Sequence, residues 1–375
     1  MDPFPLPQPW GLALQNLLQD KLRLSLSVIG VALAVMLILF LIGLREGFFR
    51  TAVIYLEHAP GSIAVMPEGV RSTGAGSGQF VSPETVDAVT STPGVTRATP
   101  IQLMMAIPEL HGRKELIKLV GYDRDLGGGP WNLVDGREPT AADEVVLDRA
   151  LADRHNVAVG DTFDISGFEL EVVGLSGETS SWTGSYAFAS NAFVESLEFA
   201  PGASFVLVTP EQDTSVDELM SRLRSIESIS VLRKSEVMDN DKQIIAGIAD
   251  QVLMLMVAAA FIVGALVVGM VIYTATTERR GEYGIVKAIG ARNGVLYRVV
   301  VSQAIVAAGL GALLGIMLAF AMGWLVMSLK PQFLVAIEPF AIVITLAAGF
   351  GMAFAGALLP ARAVAGMAPG EVFRR

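Results

Sequence analysis

The chain has no cysteine among its 375 residues, which excludes disulfides and thiolate metal sites. Histidine is almost as scarce. His58, His111 and His155 stand far apart and none forms the H-E-x-x-H pair of a zinc hydrolase, so each reads as a surface histidine. No G-x-x-x-x-G-K-[ST] run occurs, so the chain does not hydrolyse ATP itself, and Gly127-Gly128-Gly129 lack the lysine and following helix of a phosphate-binding loop. Gly76-Ser77-Gly78 falls short of G-x-S-x-G, and nothing around it marks a strand-to-helix elbow. The pairs Asp143/Glu144 and Asp123/Asp125 read as solvated loop charge rather than as metal ligands or acid and base. The inventory is that of a non-catalytic chain.

Charge is missing from four long stretches: 24–44, 252–273, 299–329 and 339–359. A spanning helix needs about 20 apolar residues, and each stretch supplies that. The third is longer than needed, which leaves room to tilt, to bend at Gly309, Gly311 or Gly315, or to project from the membrane. The absence of charge argues against a proton relay or ion pathway, since such routes keep costly ionisable groups in the membrane. With 52% hydrophobic residues and a mean hydropathy of +0.54, the chain is mixed, part membrane and part aqueous. The small-residue pairs Gly30/Ala34 and Gly311/Gly315 suit close helix approach and are candidate dimer contacts.

Basic residues set the orientation. Lys21 and Arg23 precede the first span, Arg279, Arg280, Lys287, Arg292 and Arg298 follow the second, and Arg362, Arg374 and Arg375 follow the fourth, against Lys330 alone between the third and fourth. Both termini are therefore expected in the cytoplasm, with 45–249 outside. Residues 46–249 carry 15 Lys plus Arg against 30 Asp plus Glu, a net −15, while the remainder is +5. An acidic outer domain favours solubility and offers no patch for nucleic acid.

In chain order, Trp10, Leu14, Leu17 and Leu18 share one face of an interfacial helix ahead of the first span, which is too long for a signal peptide and has no cleavage site after it. The helical pattern continues past Leu44 to Leu56 as a stalk, and 71–79 is a Gly/Ser-rich loop. Ser82-Pro83-Glu84 starts a helix that Thr92-Pro93-Gly94 stops. Strands are expected at 96–107, 115–121, 185–189, 204–209 and 229–232, helices at 191–198 and 216–226, and a hairpin at 162–174 turning through Gly167. From Ser235 a second stalk runs without a breaker into the second span.

Between the second and third spans, Tyr283, Ile285, Val286 and Ile289 fall at helical spacings, while Arg279, Arg280, Glu282 and Lys287 supply charge. This is a short amphipathic helix at the membrane surface, stopped at Gly290. Glu278-Arg279-Arg280-Gly281-Glu282-Tyr283-Gly284-Ile285-Val286-Lys287-Ala288-Ile289-Gly290-Ala291 resembles the E-R-x-x-E-x-G-x-x-[KR]-A-[IL]-G-A signature of the FtsX/MacB-like (DevC-like) ABC transporter permeases. The stretch 132–161 resembles their outer domain. The tail from Pro360-Ala361 through Arg362, Pro369 and Phe373-Arg374 resembles their C-terminal ending, with Ala368 where an acidic or polar residue is usual.

The resemblance implies a membrane all-α four-span bundle with an α+β extracytoplasmic domain inserted between spans 1 and 2. The expected division is 1–23 N-terminus and interfacial helix, 24–44 first span, 45–249 outer domain with stalks, 250–273 second span, 274–298 coupling loop, 299–329 third span, 330–338 outer loop, 339–359 fourth span and 360–375 tail. It implies a permease subunit in the bacterial inner membrane that couples ATP hydrolysis by a separate cytoplasmic ATPase dimer to movement of its outer domain, for export or extraction of a lipophilic or peptide substrate. The carried-over coupling positions are Glu278, Arg279, Arg280, Glu282, Tyr283, Gly284, Lys287, Ala288, Ile289, Gly290 and Ala291. ATP and Mg belong to the ATPase, and this chain holds no cofactor. A second permease copy or a paralogue, membrane lipid, and an extracytoplasmic adaptor or hydrolase complete the implied partners. The competing readings are an FtsX-like activator of a cell-wall hydrolase and a membrane-anchored sensor or scaffold with no ATPase.

Overall fold

The computed structural model describes residues 21–75, 78–197, 201–278, 281 and 293–365. In chain order the elements are α1 (Lys21–His58), β1 (Ile63–Pro67), α2 (Pro83–Thr90), β2 (Val95–Ala106), β3 (Glu109–Leu110), β4 (Arg113–Lys114), β5 (Ile117–Tyr122), β6 (Leu133–Gly136) and β7 (Glu144–Asp148). They continue as α3 (Arg149–His155), β8 (Thr162–Ile165), β9 (Phe168–Ser176), β10 (Ser185–Ser190), α4 (Asn191–Leu197), β11 (Phe205–Pro210), α5 (Val216–Leu223), β12 (Ile229–Arg233), α6 (Lys234–Ile245), a π-helical turn (Ala246–Asp250), α7 (Gln251–Glu278), α8 (Asn293–Leu329) and α9 (Pro339–Ala365). The chain divides into two compact units, one of Met1–Glu46, Asp250–Ser328 and Val335–Arg375, the other of Gly47–Ala249 with Leu329–Leu334.

The first unit is helical in its described part. Four helices are long and apolar enough to cross a membrane. α8 runs unbroken through Gly309, Gly311 and Gly315. Small residues set the packing: a Cβ on Gly311 would lie 2.6 Å from Val31 Cβ, and one on Gly315 would lie 2.6 Å from the Ala32 carbonyl oxygen. Gly30 meets Val267 in the same way, and Ala34 meets Gly264. These pairs thus seat α7 and α8 on α1 of the same chain, a role that small-residue spacing alone does not separate from a dimer contact.

The second unit is built on one mixed sheet of twelve strands, ordered β12-β1-β11-β2-β5-β10-β7-β9-β8-β3-β4, with β6 on β9. β2 joins its halves. Its first part pairs with β11 and its last part, from Gln102, pairs with β5. On one half, α2 and α5 cover Ile63, Val65, Val206 and Val208 with Val89, Leu219 and Leu223. On the other, α3 and α4 cover Ile117, Leu119, Val145, Leu147 and Val172 with Leu151, Phe193 and Val194. A further cluster brings Tyr55 and Leu56 of α1 and Val237 of α6 against Val120, Tyr186, Phe188 and Phe205. Each large side chain so buried contributes about 1.5–3 kcal/mol.

Local chemistry explains the element ends. Ser82 accepts from the Thr85 amide at 3.2 Å to cap α2, with Pro83 at its first position, and Ser215 caps α5 in the same way. The β8–β9 turn places Ser166 and Gly167 at φ 55° and 91°, the left-handed pair a tight hairpin requires. Of the glycines at 127–129, Gly128 and Gly129 serve packing. Tyr55 Oη donates to the Gly128 carbonyl at 2.9 Å, and a Cβ at Gly129 would lie 2.3 Å from the Tyr122 ring.

Candidate mechanical coupling site

The coupling stretch is flanked by two long helices. α7 ends at Glu278, Gly281 lies in helical backbone, and α8 begins at Asn293. Arg279, Arg280, Glu282, Tyr283, Gly284, Lys287, Ala288, Ile289, Gly290 and Ala291 lie outside the described residues, as do Ser77, the N-terminal stretch 1–20 and the tail 366–375.

The other end of this helical path is described in full. The stalk expected from Ser235 is helical from Lys234 to Glu278, with one difference: its ladder widens to a π turn at Ala246–Asp250. Such turns insert a residue and bend or loosen a helix, and they recur at working positions. Asp250 closes that turn, and its carboxylate accepts from Arg45 Nε. Arg45 directly follows the first apolar run, and Asp250 stands just before the second. The pair ties the first and second spans where each leaves its apolar stretch.

A second tie lies within the outer unit. The loop after the third span folds against α1: the Leu334 carbonyl occupies the space a side chain at Gly47 would need, at 1.7 Å from its Cβ position. Phe333 lies against Phe48 at 6.3 Å, and Phe48 stacks on Trp182 at 4.8 Å. Gln332 accepts from Arg154 Nη2 at 2.5 Å, and Arg154 Nη1 reaches Glu115 at 2.9 Å. Thus α1, the 182 loop, α3 and the loop after the third span form one collar.

A third tie joins α6 to the Gly/Ser-rich loop. Asp241, 5% exposed, accepts from Ser72 Oγ and Thr73 Oγ1 at 2.5 Å each and from the Thr73 amide at 2.9 Å. Elsewhere in the same unit the Lys118 ammonium sits over the Tyr186 ring at 5.1 Å. Burial pushes that ammonium down to about 8, partly offset by Asp241.

Residues 24–226 match the family described as MacB-like periplasmic core domain, and residues 254–369 match the FtsX-like permease C-terminal family. The chain belongs to the MacB/FtsX-like ABC transporter permeases. It is a multi-pass membrane permease. It is 26% identical over 315 residues to an uncharacterized ABC transporter permease of Mycobacterium tuberculosis, covering 82% of this chain and 84% of that one. It is 31% identical over 116 residues to the macrolide export ATP-binding/permease protein MacB of Agrobacterium fabrum, covering 31% of this chain and 18% of that one. Among solved structures, the periplasmic region of MacB from Actinobacillus actinomycetemcomitans aligns with a TM-score of 0.39 at 14% identity, over 48% of this chain and 92% of that one. The extracellular domain of the noncanonic ABC-type transporter YknZ from Gram-positive bacteria aligns at 0.35 with 18% identity, over 46% and 100%.

The permease corrects two expectations from its sequence. His155 is buried rather than on the surface, with Nε2 3.3 Å from Glu115 and its carbonyl 2.9 Å from His111 Nδ1. Glu144 is not solvated loop charge. It is buried and takes Arg137 Nη1 and Nη2 at 2.6 and 2.5 Å with the Thr140 amide at 2.7 Å, and the guanidinium holds its carboxyl well below the usual range. Asp123 accepts from the Asp125 amide, an ordinary turn. Among the described residues no group of three His, Asp or Glu is placed to hold a metal ion.

The Arg45–Asp250 pair escaped the reading from sequence, though it had a signal: opposite charges just after the first apolar run and just before the second. The collar had none, because its residues come from four separate stretches.

Proposed function

We propose that this permease couples ATP binding and hydrolysis by a separate cytoplasmic ATPase dimer to movement of its outer domain 45–249. Both termini and 274–298 face the cytoplasm, ATP and Mg reside in the ATPase, and a second permease copy or a paralogue completes the assembly. The cargo is a lipophilic or peptide substrate that is exported or extracted, with an adaptor on the outer side.

What carries the reading is one helical path. From Glu278, the first residue of the coupling signature, helix continues through α7, the π turn and α6 to Lys234, which directly follows β12. A docked ATPase that shifts 278–291 therefore has a stiff lever, and the π turn with Arg45–Asp250 is where that lever can bend. The spans carry no charge that an ion-conducting route would need.

The test is co-purification of the ATPase with the wild-type chain and with a Glu282→Lys, Gly290→Trp double variant inserted to the same level. The reading expects the ATPase to bind the wild type and to be lost from the variant. Binding to neither, or binding indifferent to the change, would favour the sensor or scaffold. An activated cell-wall hydrolase in place of transported cargo would move the function to the FtsX branch.

A further inference from the structure

Within the outer unit, one row of side chains crosses from a covered to an open part of the sheet. The register sets Met105 of β2 beside Lys118 of β5, and Lys118 beside Tyr186 of β10, so the three lie across one face. On one side of the row Leu103, Val120 and Phe188 pack with Tyr55, Leu56 and Val237. On the other, Ile107 and Leu116 continue the alternation without cover: Met105, Ile107 and Leu116 are 50%, 63% and 41% exposed. All of these residues belong to the outer unit.

Two polar groups of the row are unused. Lys118 is half-buried with its ammonium over the Tyr186 ring, and it makes no hydrogen bond or ion pair through that ammonium among the described residues. Tyr186 is 2% exposed; burial raises its phenol, which stays protonated, and the hydroxyl has no acceptor among the described residues. Asp241, whose charge reaches both, is taken up by Ser72 and Thr73. A half-buried cation and a buried donor without acceptors cost the domain stability, and an anion supplies what both lack. The β3–β4 hairpin beyond Ile107 sets Arg113 and Lys114 against Glu109 and Glu115, with Asp164 of β8 opposite Glu109, so no surplus of positive charge lies there. The anion therefore belongs at Lys118, with apolar surface extending from it toward Ile107.

We propose that this row is a binding site for an anionic amphiphile, its head taken by Lys118 Nζ and Tyr186 Oη and its apolar chain laid over Met105, Leu116 and Ile107. Taking the occupant as cargo rests on the export reading above, whereas binding itself needs no ATPase.

The test uses the full-length chain in phosphatidylcholine nanodiscs, without nucleotide or ATPase. It is irradiated with a diazirine-bearing dodecanoate, and the crosslinked peptides are identified by mass spectrometry. Labelling of α7 and α8 in the same sample measures probe dissolved in the bilayer. The proposal expects saturable labelling of residues 105–116 that dodecanoate competes away and dodecanol does not. Relative to the spans, Lys118→Met lowers that labelling about tenfold or more, the loss of one charge-assisted hydrogen bond. Tyr186→Phe lowers it a few-fold, and Lys118→Arg largely retains it. Burial penalises the Lys118 charge, so Lys118→Met is expected to be the more stable chain and its loss of labelling does not come from unfolding. Absence of saturable labelling at 105–116 overturns the site. Competition by dodecanol as strong as by dodecanoate overturns the anionic head, and indifference to Lys118→Met overturns its placement on Lys118.

Discussion

Arg45 donates through Nε to the carboxylate of Asp250, joining the residue after the first apolar run to the residue that ends the π turn before the second. Both side chains are about one-third exposed, so solvent screening limits the pair to about 1 kcal/mol. Asp250→Asn and Arg45→Gln are each expected to lower stability by that amount in thermal unfolding of the purified chain. Exchanging the charges, Arg45→Asp with Asp250→Arg, should recover part of it. Recovery of nothing would mean that the two residues act independently.

Asp241 is the tightest point of the second stalk. Replacing it by Ala strands the Ser72 and Thr73 hydroxyls and the Thr73 amide, at a cost of about 2–4 kcal/mol. Ser72→Ala, which removes one of these partners, should cost about 1 kcal/mol. Limited proteolysis gives an independent check, with cleavage in 71–79 faster in Asp241→Ala than in wild type.

Lys118 makes stability depend on pH. Its folded value near 8 lies below the 10.5 of an unfolded lysine, so between these values the unfolded chain holds a proton that the folded chain has released. Stability therefore rises with pH across that window, and the cost of the buried charge is full below it. Lys118→Met should be more stable than wild type at pH 7 by up to about 3 kcal/mol, with a smaller rise than wild type from pH 8 to 10.5. Denaturation across that range checks both.

The collar predicts that Gly47 tolerates no side chain, because a Cβ there would meet the Leu334 carbonyl at 1.7 Å. Gly47→Val should displace the 330–334 loop and cost about 2 kcal/mol or more. Phe333→Ala, which opens space instead of filling it, should cost less. A Gly47→Val chain that unfolds like wild type would mean that the loop is not held on α1.

Much of this architecture was legible. Runs without charge located the four spanning helices, because a bilayer imposes length and apolarity together. Ser82-Pro83 and Gly167 announced element ends, because capping and tight turns act through neighbours in the chain. The central strand β7 and the partner switch of β2 were not legible as such, since both depend on pairing between distant segments. The same holds for Asp241, whose donors lie about 170 residues away and which looks in sequence like any polar helix residue. His155 and Glu144 were misread for one reason: their burial is decided by Glu115 and Arg137, partners that periodicity does not reveal.

The central claim is that nucleotide turnover below the membrane moves the outer domain. The most direct measurement uses the cysteine-free background, with spin labels at Glu211→Cys in the outer unit and Trp324→Cys in α8 of one chain, reconstituted with the ATPase. Distance distributions between the labels are compared without nucleotide, with ATP trapped and after hydrolysis. The account predicts a reproducible shift on ATP trapping that reverses after hydrolysis and is lost with Glu282→Lys, Gly290→Trp. An unchanged distribution while the bound ATPase turns over ATP would contradict it.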